Sequence, residues 1–129
     1  MKRQGIEPAK RVAFFEYDYA MDGGEVGEIA LRGDRLPAGA VVTSGMIHVH
    51  SAVTSGGATE VELGILTDAD VRATTLKAAL TANALLDVVP DGSAANAIRT
   101  TSGGLVLTMT ISVATLTAGK LVVALEYYA

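Results

Sequence analysis

A chain of 129 residues has room for one domain with a core of its own, and the absence of cysteine excludes disulfides, thiolate metal sites and cysteine nucleophiles. Half of the residues are hydrophobic, yet only four Tyr and two Phe are aromatic, so the core must rest on Val, Leu, Ile and Ala; fourteen glycines suit short strands joined by tight turns. The net charge of −4 is unevenly spread: residues 1–11 hold Lys2, Arg3, Lys10 and Arg11 against Glu7, whereas residues 12–129 hold six basic and thirteen acidic side chains, and an acidic body counts against binding nucleic acid.

The dominant period along the chain is two, which predicts strands. Residues 11–19 read as the first, with Ala13, Phe15, Tyr17 and Tyr19 on one face and Val12, Phe14, Glu16 and Asp18 on the other. Met21-Asp22-Gly23-Gly24 is a turn, and a shorter strand follows at 26–31. Residues 32–39, with Gly33, Pro37 and Gly39, form a loop. A long strand at 41–54 puts Ile47, Val49, Ser51 and Val53 on one face and Met46, His48, His50 and Ala52 on the other. Ser55-Gly56-Gly57 then predicts a hairpin turn into a strand at 58–67, where Val61, Leu63 and Ile65 point inward and Glu60 and Glu62 outward. From Asp68 to Leu80 the alternation stops, and an Ala-rich stretch behind a capping Asp predicts a short helix. Short strands are expected at 85–89 and 95–101, separated by the turn Pro90-Asp91-Gly92. Residues 105–115 and 121–128 are the clearest strands, with Ala118-Gly119 turning the chain between them. The expectation is a basic N-terminal arm over residues 1–10 and one all-β domain over 11–129. Its architecture is an antiparallel β-sandwich, jelly-roll-like first and immunoglobulin-like second. No run of about 18 apolar residues predicts a membrane-spanning helix, and Met1–Gly5 lack the apolar stretch of a signal peptide.

Three groups of residues could carry chemistry, and each has a plainer explanation. His48 and His50 are neighbours on one strand face, as two ligands of a zinc or copper ion would be, with Glu60 or Glu62 as a third. Otherwise they are a polar pair on a solvent or subunit face. Asp68 and Asp70 form a pair of the kind that holds cations, but helix capping explains both. Arg32-Gly33-Asp34 matches the integrin tripeptide, and a turn before a strand explains it equally. There is no nucleophile elbow, no phosphate-binding glycine loop and no evident carboxylate pair, so no enzyme, cofactor or small-molecule substrate is expected.

The run 36–42 (Leu-Pro-Ala-Gly-Ala-Val-Val) is followed by a long strand and then Thr54-Ser-Gly-Gly-Ala-Thr-Glu-Val-Glu-Leu-Gly64. Together with 67–70 and the run from Ser112 to Leu121 that leads into Glu126-Tyr127-Tyr128, it resembles small structural proteins of tailed bacteriophages. The similarity spans roughly residues 25–129. Members of that group are capsid decoration (cement) proteins, head fibres or related virion components. The resemblance implies a β-sandwich, a homotrimer, and the major capsid protein as partner. It also implies a place on the capsid surface after synthesis in the host cytoplasm. On that reading Lys2, Arg3, Lys10 and Arg11 form a candidate capsid-contact arm. The alternative is a head-fibre or tail module that binds host-surface carbohydrate through Tyr17, Tyr19, Tyr127 and Tyr128. A metal-dependent enzyme of small β-barrel type would need His48 and His50 as ligands.

Overall fold

A computed structural model describes residues 10–67, 69–88 and 98–129. In chain order they form β1 (Lys10–Asp18), a single helical turn α1 (Tyr19–Asp22), β2 (Gly27–Ala30), β3 (Arg32–Gly33), β4 (Val41–Ser55), β5 (Glu60–Gly64), β6 (Arg72–Leu76), β7 (Leu85–Val88), β8 (Ile98–Arg99), β9 (Thr108–Ser112) and β10 (Leu116–Tyr128). One sheet runs β3-β1-β10-β4-β7, with β8 also beside β4; the other runs β2-β9-β5-β6. Every pairing is antiparallel. If the two-residue strands β3 and β8 are set aside, eight strands remain. The first, eighth, third and sixth lie side by side in one sheet, and the second, seventh, fourth and fifth in the other. That order is the jelly roll, two interlocked Greek keys.

The alternation read from the sequence sets the inner faces. Ala13, Phe15 and Tyr17 of β1, Ile47, Val49 and Val53 of β4, Val61 and Leu63 of β5, Met109 and Ile111 of β9, and Leu121, Val123, Leu125 and Tyr127 of β10 are all buried in one apolar cluster. One edge of the sandwich is tied across. Arg72 of β6 donates through Nη1 to the carbonyl of Asp87 in β7 at 2.7 Å, joining a strand of one sheet to a strand of the other.

Three sequence expectations are corrected. The short helix expected over 68–80 is confined to a 3-10 turn at Lys77–Ala79, and β6 occupies 72–76 before it. The Asp70 carboxylate turns back to accept from the backbone N–H groups of Ile65, Leu66 and Thr67 instead of capping a helix, and the adjacent Thr74 and Thr75 favour the extended chain. Next, Ser55-Gly56-Gly57 is not a hairpin turn. β4 and β5 belong to different sheets, so this segment carries the chain from one to the other. Finally, Ala118-Gly119 does not end a strand. It lies inside β10 as a bulge, where the register with β4 shifts, and Gly119 has φ 142 with Val53 packed close to it. The chain crosses between the sheets earlier, at 113–115, so the strand expected at 105–115 is the shorter β9. Leu105 instead makes a lone bridge to Leu36. Pro90-Asp91-Gly92 and Asp68 lie outside the described residues.

Candidate interaction surface

The residues of β1, β10, β4 and β7 that point away from the core share one outer face, and the strand register sets them in rows. Phe14 lies opposite Ala124, Ala124 opposite Met46, and Met46 opposite Asp87. In the next row Glu16, Val122, His48 and Leu85 follow one another, and on the other side Val12, Glu126 and Ser44. Large apolar side chains on this face are open to solvent: Phe14 is 54% and Met46 45% exposed in the middle row, with Val12 45% and Leu85 64% exposed at opposite corners. Small residues keep it shallow. Gly45 and Ala124 floor a depression walled by Val12, Met46, Ser44 and Glu126, and a second depression beside it is lined by Phe14, Glu16, Arg32 and Val122. Large apolar side chains gathered on one exposed face are uncommon in monomeric proteins and mark contact surfaces.

Charged groups lie at the rim of this face and pair with one another. Lys10 meets Glu126 at 3.1 Å, and Ser44 donates to the same carboxylate at 2.8 Å. The hydrogen bond from Ser44, and then Lys10, hold Glu126 below the usual carboxylate range, while the bond to Glu126 raises Lys10. At the opposite rim Arg32 lies 2.9 Å from Asp22 and 3.6 Å from Glu16, and Lys120 lies 3.6 Å from Glu16. Burial works against the charged form of Asp22, but the Arg32 guanidinium and the Asp18 N–H together hold its pKa below the ordinary value.

The outer face of the second sheet has a different chemistry. Thr110 lies between Glu28 on β2 and Glu62 on β5, and Ser112 lies opposite Glu60. Thr74 of β6 donates to Glu62 at 2.9 Å. Glu28, Glu60 and Glu62 make this face acidic, with Leu76 exposed beside Glu60 and the Thr110 hydroxyl shielded from solvent, whereas the first face carries an apolar patch among paired charges.

The residues singled out in the sequence fall as follows. Lys10 and Arg11 are the first two residues of β1, so Lys10, counted with the arm, is a strand residue; Lys2 and Arg3 lie outside the described residues. The rings of His48 and His50 stand 4.4 Å apart on β4. Glu60 and Glu62 cannot complete a site with them, because β5 is in the other sheet, and among the described residues no three potential ligands gather. The tripeptide 32–34 is stitched to β1: Asp34 accepts from the N–H of Phe14 and donates its own N–H to the carbonyl of Phe14. Of the four tyrosines, Tyr17 is fully buried and Tyr127 nearly so, which leaves Tyr19 and Tyr128 at the surface. Sequence reasoning passed over Phe14 and Met46. The available signal was that β1 is apolar on both faces, since Val12 and Phe14 alternate with the core residues.

Among the described residues no helix is long and apolar enough to cross a membrane. No protein family profile matches the chain, and no curated protein matches its sequence. Its fold is similar to that of chains in three solved structures. One is in the capsid asymmetric unit of cyanophage Pam1 (TM-score 0.69, 14% identity, 99% of this chain and 90% of that one). Another is in the acidic stable capsid structure of Helicobacter pylori bacteriophage KHP30 (TM-score 0.65, 19% identity, 96% and 90%). The third is in the capsid of Ralstonia phage GP4 (TM-score 0.65, 12% identity, 100% and 89%). At such identities the likeness establishes the fold. It extends over nearly the whole of both chains in each case, so these neighbours are themselves about this size.

Proposed function

We propose that this chain is a virion protein of a tailed bacteriophage, a capsid decoration protein that binds the assembled shell as a homotrimer and stabilises it. The observation that carries the reading is the end-to-end likeness to similarly sized chains in three phage capsids. The surface chemistry agrees with it. A decoration protein needs a rigid scaffold and complementary faces, and this chain offers a tightly cored sandwich with an apolar patch on one outer face.

The partner is the major capsid protein. Contact runs in part through the basic N-terminal residues, which carry charge opposite to that of the acidic body. Because Lys10 is engaged by Glu126, Lys2, Arg3 and Arg11 are the cations this contact relies on. Each charge contact at a wet surface contributes only about 0–1 kcal/mol. A trimer presents three arms at once, and the gain in effective concentration turns weak contacts into stable attachment.

The test is co-sedimentation of the purified protein with capsids that lack it. The reading expects saturable binding in multiples of three and a higher temperature of capsid disruption once bound. Retention on a glycan array without capsid binding would favour the host-carbohydrate alternative.

A further inference from the structure

We infer that the outer face of β1, β10, β4 and β7, centred on Phe14, Ala124 and Met46, is where copies of this chain meet one another. The inference rests on the trimer proposed above and names its contact surface.

Charge selects the occupant. Residues 12–129 carry six basic and thirteen acidic side chains, so two copies of this body repel each other over most of their surface. The outer face of the second sheet, with Glu28, Glu60 and Glu62, would set like charges against each other. The β1-β10-β4-β7 face has an apolar patch, and its charges nearly balance within the chain: Lys10, Arg32 and Lys120 stand against Glu126, Asp22 and Glu16, with Asp87 as one further carboxylate at its edge. A like-charged copy meets less repulsion there than on the second sheet. An acidic partner of another kind is better served by the basic arm than by this face.

Size limits what this face supplies. Four strands about 4.8 Å apart and seven residues of about 3.3 Å rise make a face of roughly 19 by 23 Å, about 440 Å² in projection. A standard interface takes about 800 Å² of accessible surface from each partner. This face therefore supplies the apolar centre of the contacts, and the surfaces that flank it complete their area. In a threefold ring each copy meets two neighbours, so this face is divided between two contacts around the axis. Aromatic and Met side chains at the centre, with charges at the margin, are the usual anatomy of such contacts.

The experiment compares three purified full-length chains by sedimentation velocity over a concentration series: the unaltered protein, the double variant Phe14→Glu, Met46→Glu, and the control Ala30→Glu on the outer face of β2. Circular dichroism and thermal unfolding establish that each is folded. The unaltered protein and the control should run at three times the 13.2 kDa chain mass. The double variant should run as a folded monomer, with the concentration needed for assembly raised by more than about 30-fold. An unaltered protein that is monomeric, or a double variant that still assembles normally, overturns the inference. So does assembly lost in the control but kept in the double variant. A monomer whose capsid binding is abolished by the double variant overturns it in favour of the capsid as occupant and leaves the decoration reading standing. Loss of assembly in the double variant alone sustains the inference even where the trimer fails to bind capsids, in which case the decoration reading falls by itself.

Discussion

Thr59 is sealed from solvent, and its hydroxyl lies 3.0 Å from the carbonyl of Ser112 and 2.8 Å from that of Ala114. Between those carbonyls Val113 has φ 80 and is 70% exposed, and Ala114 donates its N–H back to Ser112. This is a γ-turn of the strained hand, in a conformation that a β-branched residue resists. The strain persists because Thr59 fixes both sides of the turn, and such a site costs about 1–3 kcal/mol. Val113→Gly should therefore raise stability by about 1 kcal/mol and the melting temperature by roughly 3 °C, read by calorimetry. Thr59→Val should lower stability by about 1–2 kcal/mol, because the carbonyl of Ala114 loses its donor. Equal destabilisation by both changes would contradict this account of the turn. Tyr17 makes a second prediction. Its hydroxyl donates to the carbonyl of Gly23 at 2.6 Å, and burial, with Asp22, Tyr19 and Asp18 nearby, pushes its pKa up from 10.0 to about 12. The folded chain thus keeps a proton that the unfolded chain releases. This contribution is complete below pH 10 and is lost as the pH rises through about 12, a fall of about 2–3 kcal/mol. Urea titrations at pH 9 and above should show that fall in the unaltered protein and a flatter profile in Tyr17→Phe.

At the scale of elements, the strands that alternate cleanly were legible. β1, β4 and β10 can be read from Phe15, Val49 and Val123 with their neighbours, because one buried face imposes a period of two. Pairing was not legible. Gly56-Gly57 has the composition of a hairpin turn, and nothing local says that the chain there leaves one sheet for the other; only the burial of both inner faces decides it. Residues 72–76 misled for a related reason. The alanines in and around them, Ala69, Ala73, Ala78 and Ala79, favour a helix, but Thr74 and Thr75, docking beside β5 and the tie from Arg72 to Asp87 favour a strand. Asp70 shows what the segment needs instead. Its carboxylate accepts from three successive N–H groups, at 2.7, 3.0 and 3.2 Å, and holds the loop between β5 and β6. Asp70→Ala should cost about 2–3 kcal/mol in chemical denaturation, because the loop loses charge-assisted bonds that water cannot fully replace. A cost under about 0.5 kcal/mol would mean that the loop is held by its own backbone. The candidate surface was half legible: Val12 and Phe14 declare a second apolar face on β1, but Met46 and Leu85 join them only through a register the sequence does not display.

At the scale of the whole molecule, chemistry is divided by region: an outer face with an apolar patch among paired charges, an acidic opposite face, and basic residues at the N-terminal end. Deleting residues 2–9 leaves every described strand intact, so the truncated chain should fold and assemble as before. If the arm tethers the trimer to the capsid, the truncation should weaken capsid binding and flatten its dependence on salt, since the removed contacts are charge contacts. An unchanged salt series would assign docking to the loops of the sandwich. The central claim, that this chain decorates a capsid, is tested most directly by cryo-electron microscopy of capsids lacking it, imaged before and after incubation with the purified protein. The account predicts new density on the outer surface only after incubation, each feature fitted by three copies of this jelly roll. Particles that look the same before and after incubation, with the protein left in solution, would contradict it.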